Sequence, residues 1–319
     1  MNKDQDKATE QKVAMYEQWL EKNPRNKEFK EIGKFSNSKN KIAVIHIDGN
    51  GLGQLIPTLD MPLSEFSSNL DAATKKAFHD ARDESMSVRE VILGGDDVTV
   101  ICNADDALTF TQRFLENFEK ETKEVISGGL TACAGIAFCN QKYPFHYAVS
   151  LAEALCSEAK KDAKKVDKEK APSCLMFHNI QSSNFQNWSK FVDDELKICN
   201  DKQTIRLDFG PYYLSQKGKP LIKNFLNSVA AYRCDGSPVS RLRNWISELY
   251  KSDAYAKSLL ERINDVTVQN RKWNCEIMDR NLEKLYTGLS NDVLLIQKDG
   301  LVKTPIYDIL QIISTTEAK

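Results

Sequence analysis

The chain has 319 residues, 41% hydrophobic and 28% charged, with a formal net charge of −1 at pH 7. This balance suits a globular protein of one or two domains and argues against broad electrostatic capture of nucleic acid. With no apolar run near the ~20 residues that span a bilayer, no apolar signal core at the N-terminus and eight scattered cysteines lacking a C-x-x-C pair, a cytoplasmic protein without membrane contact, disulfide framework or zinc knuckle is expected.

Residues 1–40 are polar and charged, with one amphipathic stretch (Val13, Tyr16, Trp19, Leu20) that predicts a short helix. "KIAVIHID" over 41–48 is a run of branched apolar residues that predicts a strand, ended by the glycine-rich "GNGLG". Helical signals over 63–85 precede predicted strands at 88–93 and 97–102. In 105–119, Leu108, Thr111, Phe114, Leu115 and Phe118 recur at helical spacing, so that stretch should pack one face on a sheet. "GLTACAGIAFC" (129–139) alternates as a strand does. Residues 146–165 set Ala148, Leu151, Ala152, Leu155 and Ala159 on one helical face, and "SCLMFH" (173–178) predicts a last short strand. The order predicts an α+β fold: a ferredoxin-like palm over 41–184, its helices on one face of the sheet. Beyond it, 239–264, 270–287 and 306–313 read as helices, with Gly and Pro turns between 210 and 238. A mostly α-helical C-terminal domain over 185–319 is expected.

The chemistry concentrates in "VREVILGGDDVTVICNADD" (88–106), where Asp96 and Asp97 adjoin at a turn. Asp48 ends the first strand, and in a split β-α-β sheet that strand lies beside the hairpin. Three carboxylates brought together raise one another's pKa unless a cation joins them. Magnesium or manganese, two per site, supplies that charge with oxygen ligands, and such ions serve in-line displacement at phosphorus. Gly94 and Gly95 let the backbone approach a phosphate, and "GNGLG" (Gly49, Asn50, Gly51, Gly53) could cradle a triphosphate with its N–H groups. A solvated hairpin tip is the alternative reading of Gly94–Asp97 taken alone.

"IHIDGNGLG", "ILGGDDVTVI" and "YPFHYAVSLAEALCSEAKK" together resemble the nucleotide-cyclase palm of the large subunit of type III CRISPR complexes and, more distantly, GGDEF-type cyclases. The resemblance covers roughly 41–180. It implies synthesis of cyclic di- or oligonucleotides from nucleoside triphosphates, ATP first among them, as messengers in antiviral defence. A downstream cyclic-nucleotide receptor would then exist. Carried over, Asp48 and Asp96 would be metal ligands, Asp97 would ligate or support, and a backbone carbonyl of Ile47 or Gly49 would add a ligand. Lys160 would contact the triphosphate; a solvated helix-end lysine is its alternative. Asn50 stands where some relatives carry a second acidic residue. In the resembled subunit two palms face each other; this chain shows one, so a homodimer through the palms is expected.

Other signals carry less. His79–Asp80 has no second ligand cluster to make it a metal-dependent hydrolase, and His46 shares a strand face with Asp48 but reads as packed. The lysine run 160–170 is interleaved with Asp and Glu, as on a solvated helix end, although nucleic-acid contact stays open. Tyr143, Phe145 and Tyr147 read as core rather than base-stacking residues. A primer- or template-dependent polymerase and a catalytically silent palm serving as nucleotide sensor or scaffold remain as alternative functions.

Overall fold

The computed structural model describes residues 32–181, 187–199, 203–270 and 275–317, together with positions 14, 15 and 18. Val13, Tyr16, Trp19 and Leu20, expected in a short helix, lie outside the described residues. From Lys41 the chain runs through β1 (Lys41–Gly49), the single-turn α1 (Leu52–Leu55), α2 (Leu63–Ala81), β2 (Val88–Gly94), β3 (Asp97–Asn103), α3 (Ala107–Val125), β4 (Ala132–Asn140), α4 (Phe145–Val166) and β5 (Cys174–Asn179).

The branched run at 42–47 makes β1 a central strand, since Val and Ile fit a pleated surface covered on both faces. It pairs antiparallel with both β3 and β4. The order β2-β3-β1-β4 is the ferredoxin-like arrangement, and β5 extends it in parallel. Phe78 of α2 meets Phe110 of α3 edge-on, and Phe110, Phe114 and Phe118 continue along one side of α3 as the sequence spacing requires.

α4 lies on the sheet face that bears Gly135, the cross-strand partner of His46. Its inner side is small (Ala148, Ala152, Cys156, Ala159 and Ala163, with Leu151 and Leu155), which lets helix and sheet backbones approach. A Cβ on Gly135 would stand 1.9 Å from the Ala152 carbonyl oxygen, so only glycine admits this contact.

After β5 come α5 (Trp188–Phe191), β6 (Lys197–Cys199), β7 (Thr204–Arg206), β8 (Tyr212–Tyr213), α6 (Ile222–Tyr232), α7 (Val239–Leu249), α8 (Asp253–Asn270), α9 (Cys275–Leu285), β9 (Ile296–Lys298), β10 (Leu301–Lys303) and α10 (Ile306–Thr315). The expected helix 239–264 is two helices, broken at 250–252. Phe225 of α6 packs against Phe177 of β5 on the face opposite α4, because Phe177 pairs with Ile136 rather than Gly135. Helices therefore flank the sheet on both faces, not on one as the sequence pattern suggested. The reason is that β1 and β4 are apolar on both sides, Val44 and Ile45 alike being buried and Ala132–Cys139 buried throughout, so each face of the sheet needs a cover.

Two further features escape the sequence pattern. β8 joins the palm sheet beside β5, and β6, β7, β10 and β9 form a second, four-stranded sheet. The buried α10 locks the parts together. Gln311 accepts the Asn179 N–H at 2.8 Å, and Asp308 accepts the Tyr212 hydroxyl at 2.7 Å and the Phe209 N–H at 3.0 Å. Among the described residues no helix is long and apolar enough to cross a membrane.

Candidate active site

The site forms where β1 ends. Asp48 is the cross-strand partner of Asp97 on one side and of Cys133 on the other. Gly94 pairs with Asp97, so Gly95 and Asp96 make the tip of a tight β2–β3 hairpin. The tip is tied down twice: the Gly49 N–H donates to the Asp96 carbonyl at 3.2 Å, and the Thr74 hydroxyl of α2 donates to the Gly95 carbonyl at 2.5 Å. A Cβ on Gly49 would come within 2.8 Å of the Asp96 Cβ, so the missing side chain at 49 is what lets the hairpin tip close on β1.

Asp48 and Asp96 are thereby brought together. Burial, and after it the neighbouring Asp48 carboxylate, push the Asp96 carboxyl above the usual carboxylate range. Lys160, from the last part of α4, answers that charge. Its Nζ lies 2.5 Å from Asp48 Oδ2 and donates to the Gly49 carbonyl at 2.7 Å. A cation thus already sits between one carboxylate and one carbonyl oxygen, and Lys160, 19% exposed at its side chain, is not the solvated helix-end lysine of the alternative reading.

The remaining predicted residues fall into two groups. Gly53, Gly94 and Gly95 border open space: a Cβ on any of them would meet nothing within 4 Å. Gly51 takes a left-handed conformation, φ 80°, and with Gln54 and Thr58 lines a cavity of about 600 Å³ closed on its far side by Gly128–Thr131 and Glu169–Lys170. Three more predicted residues make contacts of their own. Ile47 is fully buried at its side chain, and the carbonyl turned to the Lys160 ammonium is that of Gly49. Asn50 borders the same cavity and turns its amide inward, donating to Thr131 Oγ1 at 3.0 Å and to the Ala171 carbonyl at 3.3 Å, so it also clips the loop. Asp97 is half exposed at its side chain and faces His46, whose Nδ1 lies 3.5 Å from Asp97 Oδ1 and 3.2 Å from Thr99 Oγ1. His46 does share the Asp48 face.

Among the described residues no three His, Cys, Asp or Glu side chains are grouped as a ready metal cage. The donors that do converge are the Asp48 and Asp96 carboxylates and the Gly49 carbonyl, all hard oxygens. That set fits magnesium or manganese with water or phosphate oxygens completing the shell. The sequence missed the thiols beside the site. Cys133 and Cys174 face each other at 3.6 Å between Sγ atoms, and Cys156 donates to the Cys133 carbonyl at 3.2 Å. Cys133 lies in "TACAGIAFC", Cys156 in α4 and Cys174 in β5, and nothing in their spacing signalled this grouping.

Residues 41–168 match the family described as Cas10/Cmr2, second palm domain. Among solved structures, the chain resembles a Csm1–Csm4 cassette in complex with pppApApA, at 15% identity and a TM-score of 0.47, covering 90% of this chain and 39% of that one. It also resembles Csm1 of T. onnurineus, at 15% identity and a TM-score of 0.42, over 90% of this chain and 40% of that chain. The GGDEF domain of DgcB from Caulobacter crescentus, in complex with c-di-GMP, matches at 11% identity and a TM-score of 0.33, over 44% of this chain and 79% of that one. The chain thus spans about two fifths of the length of the Csm1 chains it matches. No curated protein matches it. Residues 41–168 thus match the Cas10/Cmr2 second-palm family, the one their three motifs resemble.

Proposed function

We propose that the protein is a nucleotidyltransferase that joins nucleoside triphosphates, ATP first among them, into a cyclic di- or oligonucleotide messenger with release of pyrophosphate. One observation carries the reading: two carboxylates meet, one of them sharing a cation with a carbonyl oxygen, beside glycines that border open space. Asp48, Asp96 and the Gly49 carbonyl would hold magnesium or manganese. Bound there, the metal would lower the pKa of an attacking hydroxyl and neutralise charge at the leaving pyrophosphate. The chain's own residues do the positioning. The Gly49–Gly53 loop and the Gly94–Gly95 tip leave backbone within reach of phosphate oxygens, and the cavity lined by Gln54 and Thr58 has room for a nucleoside. Lys160 gives up Asp48 and turns its ammonium to the triphosphate, so one positive charge serves both states of the site.

In-line attack needs a second nucleotide within ~3–3.5 Å of the α-phosphorus. A second copy of the palm across a two-fold axis supplies it most simply, so the active species is a homodimer. The match to that family supports a role in antiviral defence, with a receptor for the product. The test is incubation with ATP and manganese followed by mass spectrometry of the products. Wild type should release pyrophosphate and form a cyclic product at a rate rising faster than linearly with protein concentration. Asp96→Ala should fall at least ~100-fold, the scale for loss of one electrostatic catalytic group. A long primer-dependent product would favour a polymerase, no product a silent palm, and full activity in Asp96→Ala would refute the site.

A further inference from the structure

α4 brings Lys160 to the site from one flank, and a separate set of residues grips the helix on the other. Asp162 accepts the Tyr213 hydroxyl on Oδ1, and Lys219 Nζ lies 3.4 Å from the same oxygen. Lys219 is also 3.4 Å from Asp299, in the β9–β10 turn, which in turn takes Lys298 at 2.9 Å. Tyr213 is fully buried in β8, and the Lys219 ammonium lies 5.7 Å from its ring centroid. A tyrosine hydroxyl and a lysine from the C-terminal half thus converge on a carboxylate two residues from Lys160.

Positions two apart on a helix differ by about 200° around its axis. Lys160 therefore reaches toward β1 while Asp162 reaches toward β8. Past Leu155 the helix meets the sheet only through Cys156, Ala159 and Ala163, short side chains that interlock little, so the roll of its last turns is set at the flanks. On the site's side the grip is Lys160 on Asp48, the contact that triphosphate binding would break.

We propose that Asp162, held by Tyr213 and Lys219, is a positioning residue that fixes the roll of α4 and so places the Lys160 ammonium over Asp48 and Gly49. The pin is independent of the reaction; only its consequence for triphosphate binding rests on the function proposed above. Through it the second sheet and β8 act on the site without touching it.

Two measurements on the full chain test this. Reductive ¹³C-methylation keeps lysines charged, and the Lys160 signal is assigned by its loss in Lys160→Met. Without nucleotide, Asp162→Asn and the milder Tyr213→Phe, which removes only a hydroxyl, should both shift that signal. Lys41, remote from the pin, serves as the control that should stay put. Next, affinity for a non-hydrolysable ATP analogue with manganese should drop about tenfold in Asp162→Asn but less than twofold when Lys160 is already Met, the signature of one residue acting through another. An unmoved Lys160 signal in folded Tyr213→Phe overturns the proposal, as does an equal loss of affinity in both backgrounds. If the signal moves while no variant alters affinity, the pin stands and the triphosphate role of Lys160 falls.

Discussion

Asp96 is held above the usual carboxylate range first by burial and then by Asp48. For an acid whose folded-state pKa is raised, stability is fully present below the unfolded value and is lost as pH rises through the folded one. At neutral pH Asp96 therefore costs the metal-free protein stability. Asp96→Asn, measured by thermal unfolding in a chelator at pH 7, should melt at the same temperature as wild type or a few degrees higher. A melting point lower by 5 °C or more would mean that the carboxylate serves the fold rather than a ligand. This trade of stability for a charged site is only half legible in the sequence: adjacent aspartates at a glycine turn mark the place, but burial and the distant Asp48 cause the effect. The Lys160–Asp48 contact is not legible from charge pattern, since 111 positions separate Lys160 from the Gly49 carbonyl it also binds, and the family motif pointed to Lys160 only as a contact for the triphosphate.

Among the elements, the ones read well from sequence are those with a period to read. β1 shows as a run of branched residues and lies within a residue of its expected place, while α3 shows as a stripe of Phe at helical spacing, starts near its expected place and runs on to Val125, past the expected end at 119. β6, β7, β9 and β10 are three residues each, too short for alternation to register, and each carries Lys or Arg. The second sheet was therefore invisible. Gly135 lies between these cases: a glycine inside a strand signals close backbone approach, here by α4. Gly135→Ala must displace either the helix or the strand, because the Cβ would meet a backbone oxygen at 1.9 Å. We expect a loss of at least ~3 kcal/mol in urea unfolding, the upper range for overpacking a core. A loss under 1 kcal/mol would mean that α4 does not sit on this face as described.

Across the whole molecule, the palm and the C-terminal half share a core rather than meeting at a linker. The buried Asp308 joins α10 to the segment leading into β8. Burial and the nearby Asp208 push its carboxyl up to about 7, even though the Tyr212 hydroxyl and two backbone N–H groups favour the charged form. The sign is again that of a raised acid: Asp308 costs the fold stability as pH rises from about 4 to 7, by a few kcal/mol at ~1.4 per unit. Wild type minus Asp308→Asn, in urea unfolding, should therefore fall by that amount between pH 4.5 and 8. A difference flat with pH would show that Asp308 is charged throughout. The central claim concerns the other end of the sheet, and manganese binding followed by electron paramagnetic resonance tests it most directly. With a non-hydrolysable ATP analogue, wild type should bind two manganese ions per chain, and Asp48→Ala combined with Asp96→Ala should bind none at the same concentrations; unchanged manganese binding in that folded double variant would contradict the account.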